Sequence, residues 1–236
     1  KLYDAGHFYQ AEYRGFYSAR QETFLTEKDR REDGTFDPLY GEVAELVEHN
    51  YYFKLGEHQQ WLIDHIEANP DFVQPATRRN EVLGFLKNNT LEDLCITRPK
   101  ARLEWGIPLP FDEEYVTYVW FDALSNYISA LTAPEDLVDA CWPADCHVIG
   151  KDILWFHTVI WPAILMSAEI ELPRQIYAHG FILDKDGRKM AKQLGNVIDP
   201  LEVAREYSVD VLRFYFLRAF SGGQDGKFSV EDLEQR

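Results

Sequence analysis

The stretch from Cys146 to Ile164 constrains the fold of this chain more than any other. Cys146-His147-Val148-Ile149 is a short run suited to a buried strand, Gly150-Lys151-Asp152 punctuates it, and Ile153, Phe156, His157, Ile160 and Ile164 then recur on or near one helical face. The same order occurs upstream: Tyr115 to Phe121 reads as a strand ending at Asp122, and Leu124, Tyr127, Ile128 and Leu131 follow at helical spacing. A third strand is expected over Gln175 to Leu183, after Pro173. Strands that alternate with helices imply parallel pairing in an α/β sheet, whose ligands sit at the carboxyl ends of the strands. Asp122 and Gly150-Lys151-Asp152 are both expected there.

The flanking regions differ in character. Residues 1 to about 110 are aromatic, polar and turn-rich, with loop signals at Arg31-Glu32-Asp33-Gly34 and Asn88-Asn89-Thr90, and read as a mixed α+β module. Within it, Trp61, Leu62, His65 and Ile66 predict a packing helix from Glu57 to Ala68, closed by Asn69-Pro70. Beyond the third strand, the loop from Asp184 to Gln193 concentrates Lys185, Arg188, Lys189 and Lys192 and is the best polyanion candidate. Asp199-Pro200 then predicts a helix start, with helical periodicity running through Leu217 to a break at Gly222-Gly223.

Charge limits the partners. With 24 Lys+Arg against 40 Asp+Glu, the net charge of −16 opposes a phosphate backbone, so nucleic acid can be held only through a local basic patch or another domain. Three cysteines, Cys95, Cys141 and Cys146, are too few and too unevenly placed for a disulfide framework, which points to a reducing, cytoplasmic compartment. No apolar run approaches the roughly 20 residues of a membrane span. The opening Lys1-Leu2-Tyr3-Asp4-Ala5-Gly6 carries neither a starting methionine nor a signal pattern, and the expectation is a piece of a longer chain.

Several residues are candidates for chemistry. Gly150 lets a ligand approach the backbone, and the Asp152 carboxylate suits a ribose diol; Asp152 reads equally as a helix-start residue that satisfies first-turn N–H groups. Lys189 and Lys192 suit the neutralisation of phosphate charge, or are simply a solvated loop. Trp120, Ala123, Leu124, Tyr127, Ile153 and His157 are candidates for one pocket, although such a stripe also serves as core. Cys141, Cys146 and His147 do not make a zinc site, because a second Cys/His pair is lacking and Cys146 and His147 point to opposite faces of a strand.

Taken together, Arg102-Leu103-Glu104-Trp105-Gly106-Ile107-Pro108, Tyr118-Val119-Trp120-Phe121-Asp122-Ala123-Leu124, His147-Val148-Ile149-Gly150-Lys151-Asp152-Ile153, Phe156-His157 with Trp161-Pro162, and Lys189-Met190-Ala191-Lys192-Gln193-Leu194-Gly195-Asn196 resemble methionyl-tRNA synthetases, class I aminoacyl-tRNA ligases, over essentially the whole chain. The resemblance implies an α/β fold: a connecting α+β module over 1–113, the second half of a Rossmann-like catalytic domain over 114–183, and a signature loop with the start of a helical stem-contact region over 184–236. It assigns Trp120, Ala123, Leu124, Tyr127, Ile153 and His157 to the methionine side chain. It assigns Gly150, Asp152 and the backbone near Ile182 to adenosine, Lys192 with Lys189 to the ATP phosphates, and Arg98 to a supporting role at the amino-acid end.

The implied activity is ATP-dependent activation of methionine, with Mg2+, and transfer to tRNA. Three departures qualify it. The family loop usually reads Lys-Met-Ser-Lys-Ser, whereas Ala191 and Gln193 stand at the two hydroxyl positions, which predicts slowed activation. The His-x-Gly-His phosphate motif of the family is nowhere in the 236 residues, so these residues alone are expected to be inactive, with an unpaired sheet edge and an exposed apolar face. Around Tyr17-Ser18-Ala19-Arg20-Gln21-Glu22 and Phe36-Asp37-Pro38-Leu39-Tyr40, where many members hold a zinc knuckle, no cysteine occurs, and no structural zinc is expected. The acidic chain is expected to bind tRNA weakly by itself. The alternative is a non-catalytic paralogue that binds methionine or nucleotide, or serves as an interaction module. A dinucleotide-dependent oxidoreductase is disfavoured, because the Gly-x-Gly-x-x-Gly turn is missing.

Overall fold

A computed structural model describes residues 1–18, 20, 23–25, 29–31, 33–132 and 137–235. Ala19, Gln21, Glu22 and Glu32, named above in the knuckle and loop segments, lie outside them. The chain forms two compact units, one from residues 1–57 and 92–126, the other from residues 58–91 and 127–236.

In the first unit, two long strands, Phe8–Ser18 and Val43–Phe53, pair antiparallel along their whole length, from Phe8 opposite Phe53 to Ser18 opposite Val43. Phe53 is fully buried, with the Phe8 and Phe121 rings 6.1 Å from it by centroid, giving the sheet an aromatic core. Polar groups buried beside it are joined in a chain. Thr97 Oγ1 donates to Asn50 Oδ1 at 3.0 Å and accepts from the Tyr51 amide at 2.9 Å, while Asn50 Nδ2 donates to Glu48, which also pairs with Arg102. Each such group is costly to bury without a partner, so the set persists only as a whole.

The run from Tyr115 does not extend the parallel sheet. Strand Asp112–Thr117 pairs antiparallel with Thr97–Pro99 and Pro108–Leu109, then gives way to helix Val119–Ala123. Asp122 therefore sits in a helix of the first unit instead of at the end of a parallel strand. An apolar run such as Val119-Trp120-Phe121 carries no period that separates strand from helix; the turn is made at Tyr118, whose amide donates to the Ile96 carbonyl.

The second unit holds the parallel sheet. Strand Ile176–His179 is central, bonded in parallel to Val73–Gln74 on one side and to His147–Gly150 on the other. This pairing draws residues 58–91, with helices Gln59–Ala68 and Ala76–Asn88, into the second unit. The expected third strand is cut after His179 and resumes as Ile182–Leu183, which pairs in parallel with Gly226–Lys227. Among the described residues His147–Gly150 is bonded only to Ile176–His179, and Val148 on it is 69% exposed. Behind the sheet, helix Trp161–Ser167 is buried nearly all round, with Trp161, Ala163 and Leu165 almost inaccessible.

The terminal region is helical, as expected. Asp199 caps helix Pro200–Tyr207 by accepting from the Leu201 amide at 2.8 Å. The continuous periodicity is interrupted at Ser208, whose φ of 81° breaks the helix before Val209–Ala219 begins. Val203, Leu212, Tyr215, Phe228 and Leu233 form a separate small core, against which Met190 of the basic loop packs. No helix among the described residues is long and apolar enough to cross a membrane.

Candidate functional site

The second unit brings several of the predicted residues together at the carboxyl end of strand His147–Gly150. Gly150 ends the strand, and a Cβ there would stand 2.6 Å from Asp152 Oδ1, so a larger residue would displace the Asp152 carboxylate from its present place. Asp152 caps nothing: among the described residues its carboxylate makes no hydrogen bond, and its one partner is Lys189 Nζ at 3.7 Å. Asp152 stands in the first turn of Lys151–Ile153, as the helix-start reading has it, but satisfies no first-turn N–H there, and its carboxylate is an exposed acceptor. An exposed ion pair at that distance is worth at most about 1 kcal/mol, so a ligand can draw Lys189 away at little cost.

Beyond Asp152 the helix widens into a π-helical turn, Phe156–Ile160, which carries the buried His157. His157 Nδ1 lies 3.0 Å from the Ile153 carbonyl and Nε2 lies 2.8 Å from the Tyr127 hydroxyl. A carbonyl only accepts, so Nδ1 carries the proton and Nε2 accepts from Tyr127. Burial lowers the His157 pKa and raises that of Tyr127, and burial followed by the nearness of His157 pushes His147 down to about 4. All three groups are therefore neutral at physiological pH. The Tyr127 and His147 rings meet the His157 imidazole edge-on, at 5.6 and 6.1 Å by centroid, and lie 4.1 Å from each other, while Trp161 packs on Tyr127 and Trp142 on His147. The buried Nε2 of His147 and Nε1 of Trp161 have no hydrogen-bond partner among the described residues. Sequence reasoning rejected His147 as a zinc ligand and overlooked it as part of this cluster; its burial on an alternating strand was the available signal.

Of the other predicted pocket residues, Ile153 lies in the turn that positions His157. Trp120, Ala123 and Leu124 belong to the first unit, on and just after helix Val119–Ala123, with Leu124 buried. Arg98 is in the first unit as well, donating to the Thr97 carbonyl at 2.7 Å with its guanidinium over the Tyr118 ring.

The basic loop is tightly built. Asp184 Oδ1 accepts from the Asp186 and Arg188 amides, and Oδ2 from Arg188 Nε and Asn196 Nδ2, at 2.8 to 3.0 Å. Asn196 in turn accepts from the Ala191 amide at 2.9 Å and donates to the Lys189 carbonyl at 3.2 Å. Arg188 is thus committed within the loop, Lys189 rests against Asp152, and Lys192, exposed on the short turn Lys192–Leu194, makes no ion pair among the described residues. Of the two lysines assigned to phosphate, Lys192 is the one without an ion pair among the described residues and is the more available to an anion. Ile182 lies on the strand that leads into the loop and is exposed.

The Asn196 amide, then the Arg188 amide and guanidinium, hold Asp184 at about 2, below the ordinary 3.8. A carboxyl depressed on folding stabilises the folded loop above its unfolded value and loses that contribution as pH falls from about 4 through about 2. The Asn196 side-chain amide resonances are accordingly expected to hold their positions at pH 5 and to move only in that window. Movement centred on the ordinary carboxyl value would disprove the ties to Asp184.

The family model described as tRNA synthetases class I (M) matches residues 38–236. The methionine–tRNA ligase of Rhizobium meliloti is 45% identical over 242 residues, covering 100% of this chain and 46% of the relative. That of Thermosynechococcus vestitus is 46% identical over 237 residues, covering 97% of this chain and 44% of the relative. The crystal structure of Mycobacterium tuberculosis methionyl-tRNA synthetase bound by methionyl-adenylate superposes with a TM-score of 0.84 at 42% identity, covering 100% of this chain and 46% of that one. The chain thus spans about half the length of the relatives it matches.

Proposed function

Since the chain belongs to the class I tRNA synthetases of the methionine branch, we propose that it carries the amino-acid and adenosine half of a methionine–tRNA ligase site. The observation that carries this reading is a carboxylate, without a hydrogen bond among the described residues, just past the end of a parallel strand and facing the loop lysine Lys189 at 3.7 Å. A thioether needs no charge to recognise it, and Tyr127 and His157 offer polarizable ring contacts and shape. Trp120, Ala123, Leu124 and Ile153 are proposed as further methionine-binding residues, with Arg98 in a supporting role.

In the proposed reaction a methionine carboxylate oxygen attacks the α-phosphorus of magnesium–ATP and pyrophosphate leaves. A ribose hydroxyl at the tRNA terminus then attacks the methionyl carbonyl and releases AMP. Asp152 accepts from the ATP ribose, Gly150 and the Ile182 backbone border the adenosine, and Lys192 with Lys189 neutralises the departing phosphates. Positioning and charge supply most of the catalysis in such a transfer. The partition along the chain is kept as a statement of role: 1–113 connecting, 114–183 catalytic and 184–236 loop and stem contact, with 58–91 lending its strand to the sheet.

The 236 residues contain no His-x-Gly-His, so activation is assigned to the complete natural protein and not to these residues alone. Residues 17–40 contain neither cysteine nor histidine, a donor set that does not suit structural zinc. With a net charge of −16, tRNA binding by these residues alone is proposed to be weak, and the place of action cytoplasmic.

Methionine-dependent ATP–pyrophosphate exchange by the complete protein tests the reading. Exchange is expected, and His157→Ala is expected to raise the methionine KM roughly tenfold with the ATP KM little changed, about the loss of one buried polar contact and its packing. No exchange at high enzyme concentration would favour the non-catalytic paralogue, to which Ala191 and Gln193 in the loop also point.

A further inference from the structure

The segment Gly222-Gly223-Gln224-Asp225-Gly226 reads in sequence only as a helix breaker, yet it is pressed into the end of the parallel sheet. A Cβ on Gly180 would lie 2.1 Å from the Gln224 carbonyl oxygen, one on Gly222 would lie 2.2 Å from Tyr177 Oη, and one on Gly226 would enter the Phe220 ring. Gly223, at φ +79°, abuts Pro75, and its carbonyl accepts from Arg78 Nη2 at 3.2 Å. So many glycines in backbone contact leave one charged side chain, Asp225, aimed at the site. Its Oδ1 accepts from the Phe181 amide at 2.8 Å and its Oδ2 pairs with Lys151 Nζ at 2.6 Å.

We propose that Asp225 is a positioning residue for the adenosine and phosphate end of the site, an inference that rests on the ligase reading above. Among the described residues its side chain bonds to Lys151 and Phe181 and to none of the residues assigned to substrate. It acts through Lys151, the neighbour of Gly150 and Asp152, and through Phe181, the neighbour of Ile182. The Phe181 ring lies under both Lys151, 4.7 Å from the centroid, and Lys189, 4.3 Å from it. Asp225 thus ties two pieces directly, the end of strand His147–Gly150 through Lys151 and the start of strand Ile182–Leu183 through Phe181, and reaches the loop that carries Lys189 through the Phe181 ring. The tie continues directly into Gly226–Lys227, which pairs with Ile182–Leu183. A half-buried ion pair with a backbone donor on its second oxygen is held from two sides, unlike the exposed Lys189–Asp152 pair, and so serves as a fixed reference while Lys189 moves.

The test compares Asp225→Ala and Asp225→Asn with the unaltered complete protein, in pyrophosphate exchange with ATP and methionine varied separately and in amide hydrogen exchange. Asp225→Ala is expected to raise the ATP KM roughly tenfold and to lower kcat, with the methionine KM within about twofold. Asp225→Asn keeps an acceptor for the Phe181 amide and is expected to fall between. Amide protection from Phe181 to Lys189 is expected to drop in Asp225→Ala and to be largely retained in Asp225→Asn. Unchanged ATP kinetics in Asp225→Ala, or equal losses for ATP and methionine in Asp225→Asn, would overturn the role. If the unaltered protein shows no exchange, the ligase reading fails by itself; hydrogen exchange still judges the clamp, and unchanged protection in Asp225→Ala overturns it.

Discussion

Lys192→Ala in the complete protein is expected to lower pyrophosphate exchange by roughly 10²- to 10³-fold, almost entirely in kcat, the range seen when one preorganised donor to a developing charge is removed. Lys192 is exposed, makes no ion pair among the described residues, and follows Ala191 in extended backbone at the head of the Lys192–Leu194 turn. Among the described residues no ion pair competes for its charge, which leaves it to the phosphates. Lys189 differs: it starts paired with Asp152 and rests over Phe181, and part of what it gains on the nucleotide is offset by what it leaves. Lys189→Ala is accordingly expected to cost less in kcat and more in ATP KM. Steady-state exchange with each substrate varied separates the two. A Lys192→Ala variant that lost activity through the methionine KM would refute the assignment.

Asn196→Asp is expected to be nearly as damaging, although it changes one atom type in a residue proposed to touch no substrate. The amide of Asn196 donates to Asp184 Oδ2 at 2.8 Å and its oxygen accepts from the Ala191 amide, so it spans the loop between the two lysines. A carboxylate in its place keeps the second bond and replaces the first with two like charges in contact. Such a pair cannot stay doubly ionised without separating. At neutral pH the loop is expected to open and exchange to fall by about 10²-fold, the scale set by misplaced catalytic groups. Lowering the pH toward 5 should restore part of the activity, as one of the carboxyls takes up a proton and donates again. Asn196→Ala, without the repulsion, should show a smaller loss and no such recovery. A pH profile of exchange for the two variants checks this, and matching profiles would rule out the repulsion.

Local patterns made much of this legible. Helix Gln59–Ala68, strand His147–Gly150 and the Asp199 cap follow from spacing and turn chemistry that act within a few residues. The run at Tyr115 misled because Val119-Trp120-Phe121 has no period, and the strand Val73–Gln74 passed unnoticed because two residues carry no pattern at all. At the site, Gly150, Asp152 and the loop lysines stood out by residue type and order. Whether Asp152 capped a helix or stood free was undecidable until its surroundings were known.

What the sequence by itself determined is therefore the chemistry on offer: an acid after a strand-ending glycine, a histidine on an apolar face, and lysines in a loop, each a consequence of neighbours a few residues away. Tertiary structure decided what each of these groups is bound to and which remain available. Lys151 is held by Asp225, 74 residues further on, and the Nε2 of His157 finds its partner in the Tyr127 hydroxyl, 30 residues back. Hydrogen bonds and close ion pairs act over a few ångströms of space and are indifferent to separation along the chain. Only packing the strands and loops together could leave Lys192 uncommitted while it engaged Lys151, Asp184 and Asn196.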